Sequence, residues 1–353
     1  MRTIHWPLIV PVLLLTVSSL LILSSIAERF FLFQLLWIIL GAGFLTFFHF
    51  FDWRPFINYR WVIIGVYAVL ILLLLATYIF APTIRGVRAW IVVGPFQVQT
   101  SEFAKAGLIL VLAYFFGRHH LMIGQARVIG YSFALVALPI GLVLLQPDLG
   151  SAIVMGALWF CFLLLSGLRT RHFFIAVLTA TIGFFLAWNF FLAGYQKDRI
   201  IGLFNPDRDP LGVNYSVIQS KIAIGSAGFW GKGYGQGTQT QLGFLPEANA
   251  DFIFAAFVEE WGIALGLFLI AVFVYLIFHI LKAGSLAETN FEKFICLGTV
   301  AVLSLHFAIN VGSTIGFFPV VGVPLPFVSY GGSNLLTNFF LIGIVHSIAG
   351  RSV

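Results

Sequence analysis

The stretch WVIIGVYAVLILLLLATYIF, Trp61–Phe80, runs for twenty positions without a charged residue. At about 1.5 Å of rise per residue, a helix of that length matches the roughly 30 Å hydrocarbon core of a bilayer. Working outward, comparable runs lie on both sides. Before it come Leu8–Ala27 and Phe31–Phe50. After it come Glu102–Gly117, Val128–Leu145, Ala152–Leu168, Phe173–Leu192, Phe252–Lys282, Phe294–Gly316 and Leu335–Ile348. The fold class is therefore an all-α polytopic membrane protein with about ten transmembrane helices. The eighth run is too long for a simple crossing and should tilt or protrude.

Composition agrees. Of 353 residues 60% are hydrophobic and only 9% are charged, against about 25% charged in an ordinary soluble domain. A soluble fold could not hide so much apolar surface, so lipid is the solvent. The net charge of +6 reads as orientation charge. No Lys/Arg cluster marks a nucleic-acid partner. Cys161 and Cys296 lie in or beside apolar runs and read as packing residues, and no CxxC or Cys/His metal spacing occurs. The first apolar run carries no small-residue cleavage site and reads as a retained helix.

Basic residues in short connections set the expected orientation. With the N-terminus in the cytoplasm, that side holds Arg2, Arg54, Arg60, Arg118, Arg127, Arg169, Arg171, Lys282, Lys293 and Arg351. The opposite connections hold Arg29, Arg85, Arg88 and Lys105. Both termini are thus expected inside, in the cytoplasmic (inner) membrane. One hydrophilic stretch of domain-like length, residues 193–249, lies between helices seven and eight as an extracytoplasmic loop. Its apolar content, including Tyr215, Ile218 and Trp230, predicts short amphipathic helices at the membrane surface. No linker or repeat divides the chain, so residues 1–353 read as one transmembrane domain.

Ionisable residues at membrane depth are functional candidates. Glu102 and Lys105, three apart, can pair on one helix face and place a cation near an anionic phosphate, with Arg88 adding charge nearby. The pair also fits a purely structural role. Asp148, in QPDLGS, suits either a site at a broken helix or an N-cap. Asp251 falls in the first turn of a helix. There it is either a helix-start acid or a general base whose partial burial raises its pKa. Glu259 and Glu260 lie further along that helix and are expected well inside the bilayer. They would need His306, Asn310, Asn334 or Asn338 as partners, and polar packing is the favoured reading. The run FPVVGVPLPFVSYGGSN, Phe318–Asn334, predicts a re-entrant turn. In it Gly331 and Gly332 allow close approach, and Ser329 and Asn334 supply polar groups.

Five strings in order, RAWIVVGPFQVQTSEFAK (Arg88–Lys105), QPDLGS (Gln146–Ser151), NPDRDPLGVNYSVIQSKIAIGSAGFWGKG (Asn205–Gly233), LGFLPEANADFIFAAFVEEWG (Leu242–Gly262) and Phe318–Asn334, resemble the shape, elongation, division and sporulation (SEDS) family of peptidoglycan polymerases. GKGYGQGTQTQLGFLPE looks more like the elongation member than the division member. The sequence departs from the family at Thr100, where proline is commoner, and in the ANAD lead-in to Asp251. The resemblance implies a peptidoglycan glycosyltransferase that polymerises lipid II at the outer face of the cytoplasmic membrane. It also implies a class B penicillin-binding protein as partner within an elongation complex. Asp251 matches the family's essential aspartate, and Glu102 and Lys105 match its charged pair. On this reading Asp251 takes the acceptor proton. Lys105, oriented by Glu102, with Arg199 or Arg208 as further candidates, meets the departing pyrophosphate. A divalent cation (Mg or Mn) would share that charge, although no motif marks a metal site. Two other readings fit the same residues: a flippase or transporter for lipid-linked sugars, and a non-enzymatic scaffold for the penicillin-binding protein.

Overall fold

The structure, a computed structural model, describes residues 4–351 except 58, 85, 169, 193, 206–208 and 213. Among the described residues, nine helices are long and apolar enough to cross a membrane, and a tenth apolar helix is slightly shorter. In chain order the elements begin with α1 (Trp6–Ile26), α2 (Glu28–Phe50), the short α3 (Arg54–Ile57), α4 (Arg60–Phe80), α5 (Thr100–His119), α6 (Ala126–Leu145) and α7 (Leu149–Leu165). They continue with α8 (Thr170–Leu186), the loop helices α9 (Gly194–Phe204), α10 (Tyr215–Ser226) and α11 (Thr238–Gln241), and then α12 (Ile253–Leu286), α13 (Asn290–Thr314) and α14 (Gly332–Ala349). The ten expected runs each become a helix, with ends shifted by a few residues.

The bundle has two distinguishable ends. At one, the backbone N–H of His5 donates to His346 Nε2 at 3.2 Å. Arg351 pairs with Asp52 at 2.6 Å and Arg54 with Glu292 at 2.6 Å. These contacts gather the start of α1, the end of α14, the α2–α4 connection and the start of α13. Both termini therefore share this terminal end, as an even number of crossings requires. The opposite end carries the loop helices. Helix α14 sits deepest, packed on α2, α5, α12 and α13, whereas no described residue of α8 is buried. Large apolar side chains dominate the exposed faces of the long helices, as lipid contact demands.

Two features of the loop end were not visible in the hydropathy. Between α4 and α5 an antiparallel hairpin pairs β1 (Trp90–Val93) with β2 (Phe96–Gln99), with Trp90 opposite Gln99 and Val93 opposite Phe96. Its two-residue turn places Gly94 at φ 59°, which glycine adopts without strain. The second feature is that the eighth run is not one continuous helix. It breaks at Gly262, where φ is 84° and ψ 168°. The break is repaired by the segment 228–233. Lys232 N and Gly233 N donate to the carbonyls of Glu259 and Glu260, both at 3.0 Å. Ile263 N and Ala264 N donate to Gly228 O and Phe229 O, both at 3.2 Å. A helix can be interrupted in an apolar setting only when its exposed backbone groups find such partners.

Candidate active site

Asp251 stands in a turn just before α12, with Ala250 N and Phe252 N both donating to Glu247 O. The turn is pinned to the segment between α13 and α14 at three points. Asn310 Nδ2 donates to Asp251 O at 3.0 Å and to Val323 O at 2.9 Å. Ser329 Oγ donates to Ala250 O at 2.7 Å, and Tyr330 N donates to Asn249 O at 2.9 Å. The main chain that carries the half-buried Asp251 is thus fixed from both sides. Its carboxylate faces Gly322, where an added Cβ would stand 4.0 Å from Asp251 Oδ2.

The 318–331 segment is non-helical, as expected of a re-entrant turn, yet Val323, Leu325, Phe327 and Val328 are buried. It survives there because its carbonyls are occupied. Ser19 Oγ donates to Val328 O at 2.6 Å and Gln34 Nε2 to Ser329 O at 3.2 Å, while Ser329 Oγ accepts from Leu325 N at 2.8 Å. Ser329 is therefore a structural hinge pin on both its donor and acceptor sides. Of the paired glycines only Gly332 is at a close approach, to the Trp37 indole. Nothing lies within 4 Å of a Cβ at Gly331. What fills the Gly332 gap is a side chain of the protein itself.

Four consecutive residues of this segment collect the candidates. Arg199 Nη1 donates to Val320 O at 2.8 Å. Val321 O lies 2.4 Å from where a Cβ on Gly150 would be, so the first turn of α7 presses directly on it. Gly322 meets Asp251, and Val323 meets Asn310. Arg199, the start of α7 and Asp251 thereby share one wall. Of the two readings of Asp148, the structure shows the N-cap. It caps α7, its Oδ1 accepting from Ser151 N at 3.0 Å. Its Oδ2 accepts from Gln99 Nε2 and Ser101 Oγ, both at 3.0 Å. An acid so engaged favours the helix start and repels a second anion. Arg88 is exposed at the same end, with its Nε donating to Thr83 Oγ1 at 3.0 Å. Arg208 lies outside the described residues.

Lys105 and Glu102 do pair, at 2.8 Å, but not at a surface. Lys105 is 1% and Glu102 2% exposed. Lys105 Nζ also donates to His306 Nε2 at 2.9 Å, and His306 hydrogen-bonds the backbone of Pro324. Asn334 Nδ2 donates to the other Glu102 oxygen at 2.9 Å and is itself supported by Asn338 at 2.9 Å. The Lys105 ammonium is thus held between Glu102 and His306 inside the bundle. Its charge is matched and enclosed, and it supports the floor of the segment from below.

Glu259 and Glu260 are buried but not deep in the bundle, and their partners are not those expected. Because α12 breaks at Gly262, its first part lies across the loop end. Glu260 reaches Ser25, next to the last residue of α1, and accepts from Gln241 Nε2 at 2.9 Å. Glu259 accepts from Lys232 Nζ at 2.7 Å, Gln239 N at 2.9 Å, and Thr240 N and Oγ1 at 3.1 and 2.9 Å. It ties the loop to the helix. The residues named as their partners went elsewhere: His306, Asn334 and Asn338 to the Lys105–Glu102 pair, Asn310 to the Asp251 turn. Asn310 is the site residue whose role the sequence concealed. Its only signal was an amide in the last turns of an apolar helix. Among the described residues no group of three or more His, Cys, Asp or Glu could hold a metal ion.

A bundle of apolar helices that carries a carboxylate on a fixed backbone turn at its loop end defines a polytopic membrane protein with a candidate site at one face. The chain belongs to the FtsW/RodA/SpoVE family of cell cycle proteins, whose pattern matches residues 2–352. It is 39% identical to the peptidoglycan glycosyltransferase MrdB of Escherichia coli K12, over 84% of this chain and 77% of that protein. It is 30% identical to the peptidoglycan glycosyltransferase RodA of Treponema pallidum, over 94% and 92%. Its fold matches a chain from a peptidoglycan synthase complex that coordinates polymerization and crosslinking, with TM-score 0.85 and 28% identity over 100% and 99% of the two chains. The rod shape determining protein RodA of Thermus thermophilus shares the fold at TM-score 0.72 and 24% identity, over 98% and 97%.

Proposed function

We propose that this chain is a peptidoglycan glycosyltransferase that polymerises lipid II during cell elongation, with Asp251 as general base. The observation that carries the reading is the Asp251 carboxylate, half-buried on a turn fixed by Asn310, Ser329 and Tyr330 and facing the same four-residue wall as Arg199. Within this family such a group suits inverting transfer. The 4-hydroxyl of the acceptor GlcNAc attacks the anomeric carbon of the donor glycan. As the new C–O bond forms, the hydroxyl proton passes to Asp251. The bond from the anomeric carbon to the pyrophosphate breaks, and the electron pair leaves with the lipid-linked pyrophosphate. Arg199 hydrogen-bonds this wall at Val320 O and is the first candidate to meet the leaving charge, with Arg88 and Arg208 as further candidates. Lys105 and Glu102 are positioning residues that hold the segment from beneath. Fixed placement and charge stabilisation would supply most of the acceleration.

A divalent cation, Mg or Mn, would find one carboxylate here and would need phosphate oxygens to complete its shell. It would supply further positive charge to the pyrophosphate. The whole chain, 1–353, acts as one domain with 193–249 as its extracytoplasmic loop. The loop end faces outward and both termini face the cytoplasm, which agrees with the basic residues clustered at the terminal end. A class B penicillin-binding protein of the elongation type is the partner that would cross-link the product. The test is purified protein in liposomes supplied with lipid II already on the reactive face. Glycan lengthening is expected, with and without chelator compared. A flippase would leave that lipid II unchanged, and a scaffold would do so unless its partner polymerised.

A further inference from the structure

At the terminal end, far from Asp251, a cleft of about 410 Å³ opens between the exit of α2, the last turn of α5 and the first turn of α13. Its charges are unevenly satisfied. Arg54 Nε is paired with Glu292 at 2.6 Å, and Glu292 also closes a capping box with Thr289. That pair is matched in charge, although the two atoms make no well-aligned hydrogen bond. Two lining charges remain open to a ligand. Among the described residues no carboxylate lies within 4 Å of Arg118, and its guanidinium lies 4.2 Å from the centre of the Tyr114 ring. Glu288 is largely exposed, with only a long 3.8 Å approach to Arg54. A third group is unusual. Trp53 is 5% exposed, lines the cleft, and its Nε1 is buried without a hydrogen-bond partner. A buried N–H left in this way costs stability unless something accepts from it.

We propose that this cleft binds a zwitterionic phosphoethanolamine group, with the phosphate received by Arg118 and Trp53 Nε1 and the ammonium by Glu288. A plain anion would meet Glu288 and Glu292 as well as Arg118, and a plain cation would leave Arg118 and the indole N–H unanswered. A ligand carrying both charges satisfies all three groups. Exposed Phe50 and Trp61, at the adjoining ends of α2 and α4, and Tyr59 between them stand at the same end of the bundle, as aromatic side chains do at a membrane–water boundary. A phospholipid of the adjoining leaflet is therefore the expected source, its headgroup entering a pocket between transmembrane helices.

The experiment is native mass spectrometry of the full chain, delipidated in detergent and titrated with phosphatidylethanolamine, phosphatidylglycerol or soluble O-phosphoethanolamine. Wild type should retain phosphatidylethanolamine in preference to phosphatidylglycerol. Arg118→Gln should weaken retention of phosphatidylethanolamine about tenfold, as expected for loss of a charged hydrogen bond, and Arg118→Lys should recover much of it. Trp53→Phe, which keeps the ring, should weaken it by a smaller factor. Glu288→Gln should erase the preference between the two lipids. Competition by soluble O-phosphoethanolamine would support the ligand chemistry, and tighter binding of it than of the lipid would assign the source to the soluble pool. Equal retention of both lipids by wild type, or unchanged retention in Arg118→Gln with the variant folded by circular dichroism, would overturn the proposal.

Discussion

The side-chain amide of Asn310 holds the main-chain carbonyl of Asp251 at 3.0 Å, and the same nitrogen reaches Val323 O at 2.9 Å. One donor thus joins the turn that carries the carboxylate to the wall it faces. Replacing Asn310 by Leu keeps the volume and removes the donor. Each abandoned carbonyl should cost about 1–3 kcal/mol. The expected outcome is a fall in kcat of about tenfold or more as the carboxylate loses its fixed position, with helix content unchanged. Glycan polymerisation measured against substrate concentration checks it. An effect on KM alone would argue against a positioning role.

Gly262 and Gly231 permit the break in α12. A Cβ on Gly262 would lie 2.3 Å from Phe229 O, and one on Gly231 would lie 2.2 Å from Glu260 O, with both residues at φ 84°. Either change to Ala should cost about 1–3 kcal/mol in backbone strain alone, with the clash added. Thermal unfolding in detergent should show a Tm lowered by several degrees. Gly225→Ala, at a helical position with nothing within 4 Å, is the neutral control.

The Glu102–Lys105 pair is buried, so removing one partner strands the other. Glu102→Gln or Lys105→Met should each destabilise by about 3–5 kcal/mol. The double variant Glu102→Gln/Lys105→Met should be less damaging than the two single losses summed. A double-mutant cycle on unfolding midpoints measures the coupling. Additive losses would show that the two charges act independently.

Glu259 ties α11 and Lys232 to α12 through five hydrogen bonds. Glu259→Ala should release the loop between Gly228 and Gln241. Faster amide exchange and earlier proteolysis are expected there, with the spans unaffected. Unchanged exchange in that loop would mean the anchoring lies elsewhere.

The crossings were legible because each depends only on its own residues: twenty apolar positions such as Trp61–Phe80 must span or be buried, whatever surrounds them. The break at Gly262 was not legible. A glycine within an apolar helix costs only about 1 kcal/mol, and nothing local distinguishes a tolerated one from one that opens the helix. The deciding partner is the 228–233 segment, which supplies the missing backbone bonds. Glu259 and Glu260 were misplaced for that reason alone, since depth was counted along a helix taken as continuous. Asp148 was legible as a choice between site and N-cap, and Gln99 and Ser101 across the bundle decided it. Lys105 and His306 lie 201 residues apart, so their pairing is a property of the fold and of no motif. Asp251 was found through family resemblance. What the structure adds is the means of holding it.

The most direct measurement is polymerisation of lipid II by purified, reconstituted Asp251→Asn beside wild type, with folding and partner binding verified in the same preparations. Asn preserves the shape of the side chain and removes its ability to take a proton near neutral pH. Glycan chains from wild type and none above background from the variant is the predicted result. Glycan of normal length and rate from Asp251→Asn would contradict the assignment of Asp251 as the base.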